Sequence, residues 1–373
     1  MELFRKIFLF LLVFTPPEAQ AQGLPDAEWN ARFERSEGWL GADGVYSIRL
    51  TKLTSDTRSP NVAFLFSDTI WGTTRENGHF FDKISMTNHS AAIFSEGKLH
   101  FISHQDDEGK PKNFLPEPMW LQDGLVWNAR LFFTAFLFDA RTWRPRDVAL
   151  VSVELDSAGH PDFALPRVER APLTHSEEGA QVVFGCAILD DADENFIYIY
   201  GYADHFARGS RKDLVVARVE RAHFDDFSQW TFFDGTDWQK DIRKTLRPEA
   251  ALVRNVASEF SMSRVPSGTH AGALLFVYTP DGISRKVAFR LAESPVGPFG
   301  EEVVFYHAPE PDTLGEGIYC YNAKGHPALS QDDAILVSYH VNRFRDIAHR
   351  PAEYRPRFVR LRYSALDAPA ARE

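Results

Sequence analysis

GADGVYSIRL at residues 41–50, followed by VAFLFS at residues 62–67, is the pair of segments that decides the fold. The first is a Gly-flanked turn that opens into an alternating strand. The second is a short, continuous apolar run of the kind expected of a strand buried on both faces. The same pairing returns four times. LQDGLVWN (121–128) precedes LFFTAFLF (131–138), FGCAILDD (184–191) precedes FIYIYGY (196–202), SEFSMSRV (258–265) precedes ALLFVYT (273–279), and YNAKGHPALS (321–330) precedes AILVSYHV (334–341). Counted at Asp43, Asp123, Cys186, Glu259 and His326, the spacings are 80, 63, 73 and 67 residues. A third strand follows in the later units, as in VALVSVEL (148–155), LVVARVE (214–220), KVAFRLAES (286–294) and RFVRLRY (357–363). Apart from the apolar residues near the start of the chain, no segment holds a helical apolar period over four turns. The chain therefore reads as all-β.

Roughly seventy residues per unit suits a four-stranded blade with generous loops. The expected fold is a five-bladed β-propeller. EWNARFERSEGW (28–39) resembles QWTFFDGTDW (229–238), a fourth-strand segment. The N-terminal strand is thus expected to complete the last blade, so that the closed ring leaves no open sheet edge. A two-sheet sandwich with accidental periodicity is the competing reading.

Arg5 and Lys6 precede an apolar run, Ile7–Phe14, and Ala19-Gln20-Ala21 resembles a cleavage site. Residues 1–21 are expected to be a signal peptide and residues 22–373 a single domain, placed in the periplasm or outside the cell. The apolar run is about eight residues long, too short to span a bilayer. The net charge of −11 argues against nucleic acid and anionic membrane surfaces as partners. Two cysteines, Cys186 and Cys320, leave one disulfide open but do not make a disulfide scaffold.

The innermost strand of each blade lines a propeller's channel. Asp43, Asp123, Glu259, Lys324 and His326 are therefore expected to face one another, with Asp68 of LFSDTIWG (65–72) on the rim beside Asp43. Several carboxylates in one concave site raise each other's pKa values. Two acids with separated pKa values are what glycosidic bond cleavage requires.

GADGVYSIRL, LFSDTIWG, MTNHSAAIF (86–94), SEFSMSRVPSG (258–268), AESPVGPFG (292–300) and YNAKGHPALS together resemble the domain of unknown function 4185 and 5005 families. Those are five-bladed propellers related in architecture to glycoside hydrolase family 43, and the first group is similar to endo-D-arabinanases. The resemblance covers about residues 36–345. It implies an exported carbohydrate-active protein acting on furanosides such as arabinan, with Asp43 and Asp68 as the catalytic pair. Ala42 and His89 depart from the expected pattern, which has a glycine and a second asparagine there.

Each candidate also has a plainer role. Asp43, Asp68 and Asp123 could be turn formers. Glu259, the third acid, could be a solvated strand end. Asn88, His89, Asp123, Asn322, Lys324 and His326 are candidate substrate contacts, with backbone capping as the alternative for Asn88 and His89 and core packing for His326. Trp71, Trp120 and Trp127 suit stacking on sugar rings or the core. DDADEN (190–195) lacks the ligand spacing of an EF-hand loop. No metal or cofactor is expected, and no pattern supports a central ion. The rival classes are a non-catalytic carbohydrate-binding propeller and, ranked lower, a lyase or phosphate-dependent transferase.

Overall fold

The computed structural model describes residues 23–50, 60–139, 141–209, 211–331, 333–344 and 349–367. The expected signal peptide, residues 1–21, lies outside the described residues. The chain is all-β and passes through five antiparallel sheets in sequence order. The first contains Tyr46–Arg49, Val62–Phe66, Ser90–Ser95 and Lys98–Ile102. The second contains Met119–Trp127, Arg130–Asp139, Arg144–Glu154 and Arg167–Ala171. In the third, Ala180–Asp191, Phe196–Asp204, Lys212–Glu220 and Thr231–Phe233 are consecutive, with short strands added at both ends. The fourth runs Phe260–Arg264, Leu274–Tyr278, Lys286–Ala292 and Val303–His307. The fifth runs Ile318–Gln331, Ala334–Arg343 and Arg357–Arg362.

The leading strands of the five sheets touch in cyclic order, first to second to third to fourth to fifth and back to first. Second strands are buried on both faces, as in Val62–Phe66 and Leu274–Tyr278, because a neighbouring sheet covers each side. This is why they read as unbroken apolar runs. Fourth strands such as Lys98–Ile102 and Arg167–Ala171 are partly solvated and carry charge.

The fifth sheet does end on an N-terminal strand, but not on the segment expected. Leu24 and Pro25 pair with Arg360 and Val359. Residues 28–39 instead form most of a helix, Ala27–Arg32, and part of a strand, Glu37–Ala42, that pairs with Thr69–Arg75. Asp26 caps the helix by accepting from the Trp29 amide at 2.9 Å. Trp29 and Phe33 lie four residues apart, so they share one helical face and are buried together among Phe64, Phe94 and Phe358.

A three-stranded sheet, Glu37–Ala42, Thr69–Arg75 and Phe80–Thr87, is inserted within the first unit. It contributes to the long first spacing. The chain crosses from this sheet into the first main sheet between Ala42 and Tyr46, and back between Phe66 and Thr69. Asp43 and Asp68 stand at those two crossings.

Candidate active site

The crossings are clasped to each other. The Ser67 amide donates to the Asp43 carbonyl at 2.9 Å, and the Asp43 amide to the Asp68 carbonyl at 3.2 Å. Gly44 makes this approach feasible: its φ is +62°, and a Cβ there would stand 2.5 Å from the Ser67 hydroxyl. The sequence G-x-D-G is thus the local device that presses one acid against the strand carrying the other.

Both acids line a cavity of about 940 Å³ together with Glu259 and Asn322. Each carboxylate has its own partners. The Tyr321 hydroxyl donates to Asp43 Oδ2 at 2.9 Å. Asn88 Nδ2 and Trp120 Nε1 both donate to Asp68 Oδ1, at 3.1 and 3.0 Å. Tyr354 donates to the Asp68 carbonyl at 3.1 Å. Burial pushes the Asp43 carboxyl well above the usual carboxylate range, and the neighbouring Asp68 and Glu259 push it further; Tyr321 and Lys324 oppose this. Burial also raises Asp68, but its two side-chain donors hold the ionised form and work against the rise. The site therefore contains one carboxyl biased toward its proton and one better provided with donors to its anion.

Below the acids, Lys324 Nζ forms an ion pair with Glu259 and lies 4.4 Å from the centre of the Tyr46 ring. Both charged residues are buried. The leading strands cross this level. Tyr321 and Asn322 line the first cavity, whereas Lys324 and Gly325 line a second one of about 740 Å³.

The other sequence candidates are distributed differently. Asp123 lines the second cavity, away from the pair. It sits in a register shift of its strand and accepts from the Gly124 and Ile188 amides at 2.9 and 2.8 Å, tying the second sheet to the third. Burial pushes its carboxyl up to about 7. Asn88 does not line the first cavity; it touches Asp68 and is itself held by Asn113. His89 is buried between the Met119 carbonyl and the Leu115 amide, and burial lowers its pKa to about 3. His326 bridges the Ser47 and Ser338 hydroxyls and is likewise lowered to about 3. Neither histidine lines either cavity. Trp71 belongs to the core, its indole donating to Thr87 at 3.0 Å. Trp120 is the tryptophan that reaches the acids. Tyr321 and Tyr354 were not singled out in the sequence. Tyr321 adjoins Asn322 in the YNAKG segment, but nothing in the chain around Tyr354 marks it. Cys186 and Cys320 are both free and buried. Among the described residues no three His, Cys, Asp or Glu side chains are arranged to hold a metal ion, and no helix is long and apolar enough to cross a membrane.

The sequence matches the profile of the domain of unknown function DUF5005 over residues 26–363. The chain belongs to the DUF5005 family. No curated protein matches this DUF5005 chain. A Bacteroides ovatus crystal structure described as a "putative hydrolase" superposes with a TM-score of 0.72 at 20% identity, covering 95% of this chain and 96% of that one. A GH43_1 enzyme from Xanthomonas citri gives a TM-score of 0.49 at 13% identity over 91% and 95% of the two chains. An exo-beta-1,3-galactanase from Phanerochaete chrysosporium gives 0.46 at 11%, over 89% and 63%. At such identities the B. ovatus likeness is one of fold, and the DUF5005 site must be read from its own residues.

Proposed function

We propose that this DUF5005 protein is an exported glycoside hydrolase that cleaves furanose-containing, arabinan-like polysaccharide. Its five sheets are taken as the blades of a five-bladed propeller closed by Leu24–Pro25. The observation that carries the reading is the clasp of Asp43 against Asp68 on one cavity wall, each carboxylate with different partners. The motif resemblance to the endo-D-arabinanase group supplies the substrate class.

In this mechanism Asp43, biased toward its proton by burial and by two neighbouring carboxylates, protonates the glycosidic oxygen as the general acid. Asp68, with two donors on Oδ1, is the carboxylate on the anomeric side, attacking directly or through a water. Glu259 acts through its field: it raises both aspartates, and Lys324 keeps it in place. Asn322 lines the cavity as a substrate contact, while Asn88 positions Asp68.

The test is to incubate the protein lacking residues 1–21 with a polysaccharide panel that includes D-arabinan and L-arabinan, and to measure new reducing ends. Release by the wild type but not by Asp68→Asn is the expected result. Binding without release from any polymer would favour the carbohydrate-binding alternative.

A further inference from the structure

Each aspartate is the inner end of a chain of aromatic rings that runs out to solvent. Trp120, which donates to Asp68, stacks on Trp143 with centroids 6.2 Å apart and planes 25° apart. Tyr321, which donates to Asp43, packs on Tyr319 at 5.3 Å, and Tyr319 stacks on Phe344 at 4.2 Å and 28°. The outer rings are exposed, Trp143 at 68% and Phe344 at 52%. A single exposed apolar side chain is ordinary; what sets these two rings apart is that each is linked, ring against ring, to a side chain that donates to an aspartate.

The two ladders lie on opposite sides of the acids. Asp43 and Asp68 adjoin the first sheet; Trp120 lies in the second sheet and Trp143 in the turn that leads into its third strand; Tyr319 and Tyr321 lie in the fifth sheet and Phe344 directly follows its second strand. The leading strand of the first sheet touches those of both the second and the fifth. Trp143 is moreover held at φ +56°, a conformation costly for a bulky residue. Asp139 fixes that turn: its carboxylate accepts from the Arg141 and Thr142 amides, and its carbonyl from the Trp143 amide at 2.9 Å. The strain presents the indole above Trp120.

We propose that the two ladders are sugar-binding platforms flanking the acids, so that the site takes an internal stretch of a glycan chain and not only its end. Flat rings match the apolar faces of sugars, and the carboxylates between them accept from hydroxyls. The inference rests on the carbohydrate reading of the site but not on turnover. The experiment measures binding in the Asp68→Asn protein by calorimetry, using arabinofuranosyl, xylo- and β-1,3-galacto-oligosaccharides of two to eight units. Affinity should keep rising beyond the trisaccharide for one series. Trp143→Ala and Phe344→Ala should each weaken the longest ligand about tenfold, the effect of losing one good contact. Both rings are exposed, so thermal melts should confirm intact folds. No binding by any series, a plateau at two or three units, or an effect confined to one ladder would overturn the proposal. Length-dependent binding without hydrolysis by the wild type would keep the platforms and sink the hydrolase.

Discussion

At Asp43 two influences oppose each other. Burial and the adjacent carboxylates favour the proton, and the Tyr321 hydroxyl favours the anion. Removing that donor must therefore raise the Asp43 pKa further. Tyr321→Phe is expected to move the alkaline limb of the kcat/KM profile to higher pH. At Asp68 the donors are Asn88 and Trp120. Asn88→Ala is expected to raise the Asp68 pKa, so activity is lost at a higher pH on the acid side while the alkaline limb stays in place. Because the acids interact, each limb belongs to the pair; the two variants moving different limbs is the informative result, and both moving the same limb would reject the assignment. The sequence carried the aspartates and the glycine that presses them together, because G-x-D-G is a local backbone device. It did not carry Tyr321, Tyr354 or Trp120 as partners. Those contacts join residues 52 to 286 positions apart, and nothing local in an aromatic side chain tells a core ring from a site ring. Trp71 and Trp120 read alike in the sequence for this reason, and the fold places the first in the core and the second against Asp68. His89 and His326 look chemical in sequence and are packing residues in the fold, where paired backbone or hydroxyl partners satisfy both ring nitrogens.

Among the elements, the short helix Ala27–Arg32 shows where periodicity fails. It is too short for a helical period to stand out, yet its Asp26 cap and the Trp29/Phe33 face override the strand resemblance of residues 28–39. Phe33 is fully buried against Trp39, Phe64, Phe66, Phe101 and Phe358, which joins the first and fifth sheets. Phe33→Ala is expected to cost about 3–5 kcal/mol, measurable by denaturant unfolding. A loss under about 1 kcal/mol would mean that the helix is not part of the core. The long strands were legible because burial on both faces leaves an unbroken apolar run. The inserted three-stranded sheet was not, since its strands carry mixed exposure and no repeat partner elsewhere in the chain.

Across the whole molecule, the Glu259–Lys324 pair joins the fourth sheet to the fifth at the level between the two cavities. Removing one partner leaves a buried charge uncompensated, a loss of about 3–5 kcal/mol. Lys324→Met should therefore destabilise the fold strongly, and Glu259→Gln/Lys324→Met together should recover part of the loss. If Lys324→Met left the unfolding midpoint unchanged, the pair would not be the link described here. Lys324 also counts among the groups that lower the Asp43 pKa, so the same residue couples the architecture to the acid.

The central claim is that Asp43 and Asp68 act as one catalytic unit. The most direct measurement is kcat/KM on the polysaccharide that releases reducing ends, for wild type, Asp43→Asn, Asp68→Asn and the double variant, with folds checked by thermal melts. The account predicts a fall of at least about a thousandfold for each single variant and little further loss in the double, as for groups that work as a unit. Wild-type rates in either folded single variant, or losses that multiply in the double, would contradict it.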